Sequence, residues 1–270
     1  MTFKERQLRI VGVLENVSVA CDFVVEQARE AGLDDRALHH CYLAVDEACT
    51  NIIEHGYKPG CQTCMIDVFC QREADALIIT IMDESPPFNP LMHPDPDPKV
   101  PMGERSVGGW GIFFIKKLMD NVSYSYENRR NRLVMIKNIP TPAHTGQTRE
   151  MPALRTIETR ALTDKIWLVV PRGYLDNVQT PQLAAVLNAQ IDAGHRWLIL
   201  NMETVDGISS AGLKMLVAVS KRARDQKGDL ALAALKPFVL EMFQLVGLDL
   251  VFTIADTLDQ ARGYFNSKLR

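Results

Sequence analysis

Two polar side chains in the first half of the chain have the spacing of a functional pair on one helix. Apolar residues recur with helical periodicity over residues 35–55. Glu47 and Asn51 are four residues apart in this run, on the side opposite the apolar stripe, and His55 continues their line. The helix therefore presents a carboxylate and a carboxamide together. A solvated helix face would produce the same pattern.

Two later segments carry chemistry that suits a nucleotide. An apolar strand ends at Asp83, and a carboxylate at a strand end can accept a hydrogen bond from an exocyclic amine such as that of adenine. Gly108, Gly109 and Gly111 precede an apolar helix. Glycines let the backbone approach a phosphate closely, and a helix N-terminus attracts anions. A flexible entry into the helix is the simpler explanation of the glycines alone.

A pair of serines in the second half invites a similar comparison. Ser209 and Ser210 follow a buried strand and a turn, and they stand where the next helix begins. Serine commonly caps a helix N-terminus. The alternative is phosphorylation, because a phosphate at this position would gain from the helix dipole and the free amides.

All six cysteines lie in the first half of the chain, at positions 21, 41, 49, 61, 64 and 70. Several of them fall inside apolar helical runs, which is typical of reduced, buried thiols in a cytosolic protein. Cys61 and Cys64 form a C-x-x-C pair. A zinc site would need two further ligands at suitable spacing, and none is evident, so a metal or redox role is the lesser alternative.

The overall composition is that of a soluble globular protein and bounds the choice of partners. Hydrophobic residues make up 47% and charged residues 23% of 270, and the formal net charge is -3. Neither half is basic enough for direct nucleic-acid binding. No apolar run is long enough to span a membrane, and the N-terminus lacks the apolar core of a signal peptide. We therefore expect a cytoplasmic protein without a membrane partner.

The pattern of elements predicts two α/β domains. Residues 138–152 contain three prolines and little periodicity and are interpreted as a linker. The Pro-rich run 86–101 is expected to be a surface loop, and long irregular loops inside a compact domain often serve as functional lids. The predicted domains are 1–138 and 155–270, joined by a linker at 139–154. The first domain is expected to contain strands near 8–14, 65–71, 76–83, 122–127 and 132–138, and helices near 17–31, 35–55 and 110–119.

The second domain alternates strands and helices regularly, which predicts an α/β layered fold. Its strands are expected near 166–171, 197–201, 230–235 and 251–254. Its helices are expected near 181–193, 211–226, 238–245 and 258–268.

Taken together and in this order, the motifs of the first domain resemble those of the GHKL ATPase family. The resemblance covers about residues 5–138 and rests on the E-x-x-x-N box, the Asp83-Pro87-Phe88 box and the GGWG run at 108–111. The sequence at 46–57 and the GIFFIKKLMD helix are similar to the anti-sigma-factor serine kinase branch. The resemblance implies a histidine-kinase-like α/β sandwich that binds ATP and Mg²⁺.

By this resemblance, Glu47 would act as general base on a substrate hydroxyl and Asn51 would coordinate Mg²⁺. Asp83 would bind the adenine amino group. The glycines would shape the lid and phosphate site; they are Gly108, Gly109 and Gly111. Ser85 stands where the family has glycine, two residues after the adenine-binding Asp.

The second domain resembles STAS domains, the fold of anti-sigma-factor antagonists, over about residues 155–268. The resemblance rests on Gly173-Tyr-Leu-Asp176, the I-S-S-A-G-L run at 208–213 and the Val246-Gly-Leu248 segment. It implies that Ser210 is the phosphoacceptor, with Ser209 as a secondary candidate. Ser209 occupies the position where the family often has Asp.

The two resemblances imply a partner-switching regulator of transcription in which a serine kinase domain phosphorylates a STAS serine. Its partner would be a sigma factor or an anti-sigma or STAS protein, and a homodimer is a further expectation from the family. Two alternatives stay open. The first domain could be an ATP-binding scaffold without useful kinase activity, or the STAS domain could be a tethered pseudo-substrate of a kinase that acts on other proteins.

Overall fold

The computed structural model describes residues 5–61, 63–96, 109–139 and 157–269. The described residues divide into two compact units, one up to Ile139 and one from Ile157 onwards. Both units combine helices with sheets, so the mixed α/β class expected from the sequence is confirmed. None of the helices within these described ranges is both long and apolar enough to cross a membrane.

The first unit is built on a five-stranded antiparallel sheet with strand order β1-β2-β3-β5-β4. Alternate residues of the central strands are fully buried on one face and form the core of the unit. The bounds of the strands are β1 Arg6–Val11, β2 Met65–Arg72, β3 Ala76–Asp83, β4 Asn121–Glu127 and β5 Arg130–Asn138.

The described part of this unit contains three α-helices: α1 Val17–Ala31, α2 Asp35–Asn51 and α3 Trp110–Leu118. Helix α2 packs between α1 and α3, so it is buried almost all round, including the side that the sequence pattern places opposite its apolar stripe. Asp34 caps α2 by accepting a hydrogen bond from the backbone N–H of Ala37 at 2.8 Å.

The end of α2 differs from the expectation of one regular helix over 35–55. The α-helix ends at Asn51 and continues as a π-helical turn over Ile52–Gly56. The backbone N–H of Tyr57 donates to the carbonyl of Ile52 at 3.0 Å, which is the i to i+5 bond of that wider turn. The turn changes the direction in which the last residues of the segment face.

The cysteines of the first unit also require one correction. Cys21, Cys41, Cys49 and Cys70 are buried free thiols, as expected, and burial raises the pKa of Cys41 and Cys70 to about 12. Cys61 and Cys64, however, form a disulfide and are not reduced thiols. The loop that joins the π-helical turn to β2 brings their Cα atoms to 5.6 Å, within the range that a disulfide requires.

The second unit contains a five-stranded sheet with order β12-β11-β9-β7-β6 and a separate two-stranded parallel ladder of β8 and β10. Among the described strands of the larger sheet, only β6 and β7 pair antiparallel. The strands are β6 Glu158–Ala161, β7 Ile166–Val170, β8 Gly173–Leu175, β9 Trp197–Asn201, β10 Val205–Ile208, β11 Asp229–Ala233 and β12 Thr253–Ala255.

Four helices complete the second unit: α4 Thr180–Asp192, α5 Ser210–Asp225, α6 Pro237–Leu245 and α7 Leu258–Lys268. Helix α5 packs on β11, α6 packs on β10, and α7 packs across β9, β11 and β12. Successive residues of β9 and β11 are buried, which is typical of a mainly parallel sheet covered on both faces. The sequence pattern predicts these helices but misses the short strands β6, β8 and β10.

Candidate functional site

Helices α2 and α3 bring the predicted general base Glu47 and the predicted Mg²⁺ ligand Asn51 against Gly111. Glu47 is buried, with 3% of its surface exposed, and Asn51 lies one turn further along α2. A Cβ atom on Gly111 would lie 2.2 Å from Oε2 of Glu47 and 3.6 Å from Nδ2 of Asn51. The absence of a side chain at Gly111 therefore lets the first turn of α3 approach the Glu47 carboxylate, whose negative charge suits a helix N-terminus.

The entry into α3 also depends on a glycine. Gly109 caps the helix with φ at +84°, a left-handed conformation that favours glycine. A Cβ atom there would lie 2.7 Å from Cε1 of His93, so the end of the described Pro-rich segment rests on this residue. Lys116 of α3 holds the same segment by donating to the His93 carbonyl at 3.2 Å. The third predicted glycine, Gly108, lies outside the described residues.

A pocket of about 280 Å³ opens beside α2. Asn51 and Asp83 both line it, so the fold brings together two of the predicted ligand-binding side chains, and His55 joins them from the π-helical turn. The remaining lining is mostly apolar, which suits a flat purine base. It is formed by Ala48, Ile52, Gly56, Ser85, Pro86, Pro87, Phe88, Pro90, Ile115, Tyr124, Asn131 and Leu133.

Asp83 is buried at the end of β3, directly opposite Asn131 of β5 in the strand register. The Nδ2 group of Asn131 donates to Oδ1 of Asp83 at 3.0 Å, and the backbone N–H of Ser85 donates to the same oxygen at 2.8 Å. Both bonds use Oδ1. A carboxylate has about four acceptor positions, so Oδ2 can accept a bond from an amine in the pocket.

Asn131 and Tyr124 are site residues that the sequence reasoning missed. The Tyr124 hydroxyl donates to Oδ1 of Asn131 at 2.6 Å, and burial raises the pKa of Tyr124. The alternation in β5 contains a signal for Asn131. Asn131 falls on the same face of β5 as Leu133 and Met135, which are buried. A polar residue in that series indicates an inward-facing polar contact.

Ser85 fits its unusual position because Gly56 makes room for it. A Cβ atom on Gly56 would lie 2.7 Å from both Cβ and Oγ of Ser85. The π-helical turn therefore packs closely against the start of the Pro-rich loop. The serine that replaces the family's glycine is buried and hydrogen bonded, and it forms part of the pocket wall.

The residues present fit an adenine nucleotide and a phosphate-bound Mg²⁺. A buried carboxylate faces an apolar pocket, and the missing side chain at Gly111 lets the start of α3 lie close to Glu47 and Asn51. In the described parts of the chain no three His, Cys, Asp or Glu residues are grouped as a metal site. Mg²⁺ is commonly held by one or two protein groups together with substrate phosphates, which agrees with a site that offers Asn51.

In the second unit, Ser209 is the N-cap of α5. Its hydroxyl accepts a hydrogen bond from the backbone N–H of Gly212 at 3.3 Å and donates to the carbonyl of Leu175 at 3.0 Å. The residue is fully buried. Its hydroxyl therefore serves both helix capping and the junction between the ends of β8 and β10.

Ser210 is the first residue of α5 and has 6% of its surface exposed. Asp176 lies next to Leu175 at the end of β8 and accepts from the backbone N–H groups of Val178 and Gln179 at 2.9 and 2.8 Å. The first turn of α5 contains no acidic residue. A phosphate on Ser210 would lie at this helix N-terminus, and the buried Asp176 carboxylate directly follows Leu175, whose carbonyl accepts from Ser209.

Comparison with known protein families assigns both units. A family described as the histidine kinase-like ATPase domain matches residues 12–137, and the STAS domain family matches residues 160–261. A protein of Bordetella bronchiseptica named as an anti-sigma factor antagonist, BtrV, is 35% identical over 106 residues. The similarity covers 39% of this chain and 91% of that protein.

Solved structures that match part of this chain include an anti-sigma factor antagonist from Mycobacterium paratuberculosis. It is 26% identical, with a TM-score of 0.39, and the match covers 42% of this chain and 95% of that one. The RsbU and RsbW domains of a Mycobacterium tuberculosis protein match 53% of this chain with 14% identity and a TM-score of 0.36. This match spans 35% of the M. tuberculosis chain.

The two families define the class: a protein that joins a GHKL-type ATPase domain to a STAS domain. The chain belongs to the partner-switching family, in which these two domains and the anti-sigma factor antagonists occur.

Proposed function

We propose that the first unit is an ATP- and Mg²⁺-dependent protein serine kinase of the anti-sigma-factor type that phosphorylates a STAS-domain serine. The observation that carries this proposal is the buried Glu47 carboxylate, held one turn from Asn51 and against Gly111. A carboxylate kept in a water-poor site beside a phosphate-binding helix N-terminus suits a general base.

Each residue of the site has a distinct task in this reaction. Asp83 accepts a hydrogen bond from the adenine amino group through Oδ2. Asn51 would hold Mg²⁺, which would neutralise phosphate charge when bound. Glu47 takes the proton of the serine hydroxyl while the hydroxyl oxygen attacks the terminal phosphorus of ATP. The bond from that phosphorus to the oxygen bridging it to the β-phosphate breaks, and ADP leaves. The glycines let the backbone surround the phosphates without a side chain in the way. Catalysis then depends on position and charge, as phosphoryl transfer generally does.

The proposed acceptor is Ser210 of the same chain, Ser210 of a second copy, or a STAS-domain serine of a separate protein. A phosphoryl group adds about 1.5 to 2 negative charges at neutral pH. On a residue that is nearly buried at a helix start, this charge and bulk would weaken docking to the kinase surface. The kinase unit would then be released to hold another protein, a sigma factor or an anti-sigma-type partner.

The test is to incubate the full chain with Mg²⁺ and radiolabelled ATP and to map the labelled residue by mass spectrometry. We expect label on Ser210 that disappears in Ser210→Ala. Ser220→Ala is the matched control, because Ser220 is a buried serine of the same helix. Label elsewhere would contradict Ser210 as the acceptor, and the absence of label despite ATP binding would contradict phosphorylation within or between copies of this chain.

A second candidate function is an ATP-binding scaffold whose STAS unit is a tethered pseudo-substrate or a protein-interaction module. The low exposure of Ser210 and the complete burial of Ser209 favour it, since an acceptor hydroxyl must reach the phosphate. A separate STAS protein added to the labelling reaction distinguishes the two functions. Label on the added protein alone indicates a kinase with a pseudo-substrate, and label on neither supports the scaffold.

A further inference from the structure

Asn131 holds Asp83, the proposed adenine-binding carboxylate of the pocket, in place. We propose that Asn131 is a positioning residue that orients Asp83 for adenine and thereby sets the preference for adenine over guanine. The proposal rests on the proposed ATP binding and adds a residue to which neither the motifs nor the family resemblance assigned a role. Asn131 is buried and lies across the strand register from Asp83.

The amide of Asn131 is connected on both of its sides. Its Nδ2 group donates to Oδ1 of Asp83 at 3.0 Å and approaches the carbonyl and hydroxyl oxygens of Ser85 at 3.0 and 3.1 Å. Its Oδ1 atom accepts from the Tyr124 hydroxyl at 2.6 Å and from the Phe88 backbone N–H at 3.3 Å. The two neighbouring donors, Tyr124 and Phe88, lie on the Oδ1 side of the amide, and the acceptors of Asp83 and Ser85 lie on the Nδ2 side. This arrangement defines which way the amide faces.

This orientation has a consequence for Asp83. The Asn131 amide and the Ser85 backbone N–H both bind Oδ1, so the carboxylate cannot turn freely and Oδ2 is the oxygen that can serve the pocket. An ionised carboxylate oxygen accepts from the exocyclic amine of adenine. It repels the carbonyl oxygen that guanine carries at the equivalent position. An Asp83 carboxylate that is held with Oδ2 toward the pocket therefore selects adenine, and a loosened one does not.

Replacement of Asn131 by Asp tests this directly because the two side chains have nearly the same shape. The new carboxyl group cannot donate to Asp83 unless it is protonated, and two adjacent carboxylates share a proton as the pH falls. Tyr124 from β4 and His55 from the π-helical turn also line the pocket, and Cys49 of α2 and Tyr57 also interact with the charge of Asp83. These groups are common to wild type and variant, so the difference between the two proteins reports the carboxyl pair.

The experiment is calorimetric titration of the full-length wild type and Asn131→Asp with Mg·ATP and Mg·GTP between pH 5.5 and 8. We expect wild type to prefer ATP. Asn131→Asp should bind ATP about tenfold more weakly than wild type at pH 8, and its ATP affinity should partly recover at low pH. The ratio of its ATP affinity to its GTP affinity should be smaller than that of wild type at every pH. Asn121→Asp, an exposed asparagine of β4, is the control and should bind like wild type.

Tyr124→Phe provides a second variant that keeps the ring and removes only the hydroxyl bonded to Asn131. It should lower ATP affinity about threefold and leave GTP affinity unchanged, whereas Tyr126→Phe on the same strand should change neither. An unchanged ATP-to-GTP ratio in both Asn131→Asp and Tyr124→Phe overturns the positioning role, even if thermal stability falls. Failure of the wild type to bind ATP overturns the proposed function itself, and this inference with it.

Discussion

At the scale of single residues, the site depends on the small size of Gly111 as much as on the charge of Glu47. The space that a methyl group would need is occupied by the Glu47 carboxylate, with 2.2 Å between Oε2 and the position of a Cβ atom. This distance is far below van der Waals contact. The glycine therefore sets how closely the helix start and the proposed base approach each other.

Gly111→Ala should move Glu47 away from the start of α3 and reduce phosphoryl transfer at least tenfold, since overpacking forces side chains from their positions. We expect the free energy of unfolding to fall by about 2 kcal/mol. Urea denaturation and the labelling assay measure the two effects. Gly263→Ala is the control: a Cβ atom added at Gly263 in α7 would meet no atom of another part of the chain within 4 Å, and the change should stabilise by about 0.5 kcal/mol. Wild-type activity in Gly111→Ala would contradict the packing argument.

The residues of the site differ in how much the sequence reveals about them. Glu47, Asn51 and Asp83 stand in motifs whose order and spacing predict a nucleotide site, and Asn51 and Asp83 line one pocket. Asn131 belongs to no motif, and its role depends on the pairing of β3 with β5, 48 residues apart in sequence. A register between distant strands cannot be obtained from local spacing.

At the scale of elements, an ion cluster joins three strands of the first sheet. Asp67 of β2 has a fully buried side chain. Arg9 of β1 donates to its two oxygens at 2.5 and 2.9 Å, and Arg130 of β5 forms a further ion pair with it. The hydrogen bond from Arg9, followed by the contacts of Arg130, lowers the pKa of Asp67 despite its burial.

This pKa shift predicts a dependence of stability on pH. A lowered pKa in the folded state means that Asp67 contributes stability above its unfolded pKa of about 3.9, and that the contribution is lost as the pH falls through the folded pKa. Asp67→Asn should cost more than about 1 kcal/mol at pH 7. The difference from wild type should shrink below about pH 4.

Denaturant melts from pH 3 to pH 7 measure this difference. Asp75→Asn, at an exposed aspartate in the turn before β3, is the control and should be nearly neutral at every pH. A constant difference between Asp67→Asn and wild type down to pH 3 would contradict the cluster.

The start of α5 depends on its cap. Ser209→Ala removes both the bond from Gly212 and the bond to Leu175, and we expect a loss of about 1 to 2 kcal/mol in the free energy of unfolding. Ser267→Ala, an exposed serine near the end of α7, should change it by less than about 0.5 kcal/mol. Equal stability of the two variants would show that the Ser209 hydroxyl does not cap the helix.

Elements with strong periodicity are predicted best. The bounds of α1, β3, β9 and α7 agree with the sequence prediction residue by residue. The π-helical turn after Asn51 is missed because the sequence 52–56 also suits a regular helix, and tertiary contact between Gly56 and Ser85 accompanies the wider turn. The short β8–β10 ladder is missed because three or four residues carry too little alternation to define a strand.

At the scale of the whole molecule, each unit has a core of its own. The first is built from one face of an antiparallel sheet and three helices, and the second surrounds a mainly parallel sheet. The sequence on either side of the predicted linker at 138–152 shows the change from one pattern of strands and helices to the other. The exact domain limits, 1–138 and 155–270, stay a prediction. The C-x-x-C disulfide could not be predicted, since spacing alone fits a free dithiol equally well.

The most direct test of the proposed kinase separates nucleotide binding from phosphoryl transfer in Glu47→Gln. Binding of Mg·ATP is measured by calorimetry, and transfer by single-turnover labelling of the full chain with an added STAS protein present. The account predicts that Glu47→Gln binds ATP within about threefold of wild type and transfers phosphate at least about a hundredfold more slowly. Transfer at the wild-type rate in this variant would contradict Glu47 as the base and, with it, the kinase mechanism proposed for this site.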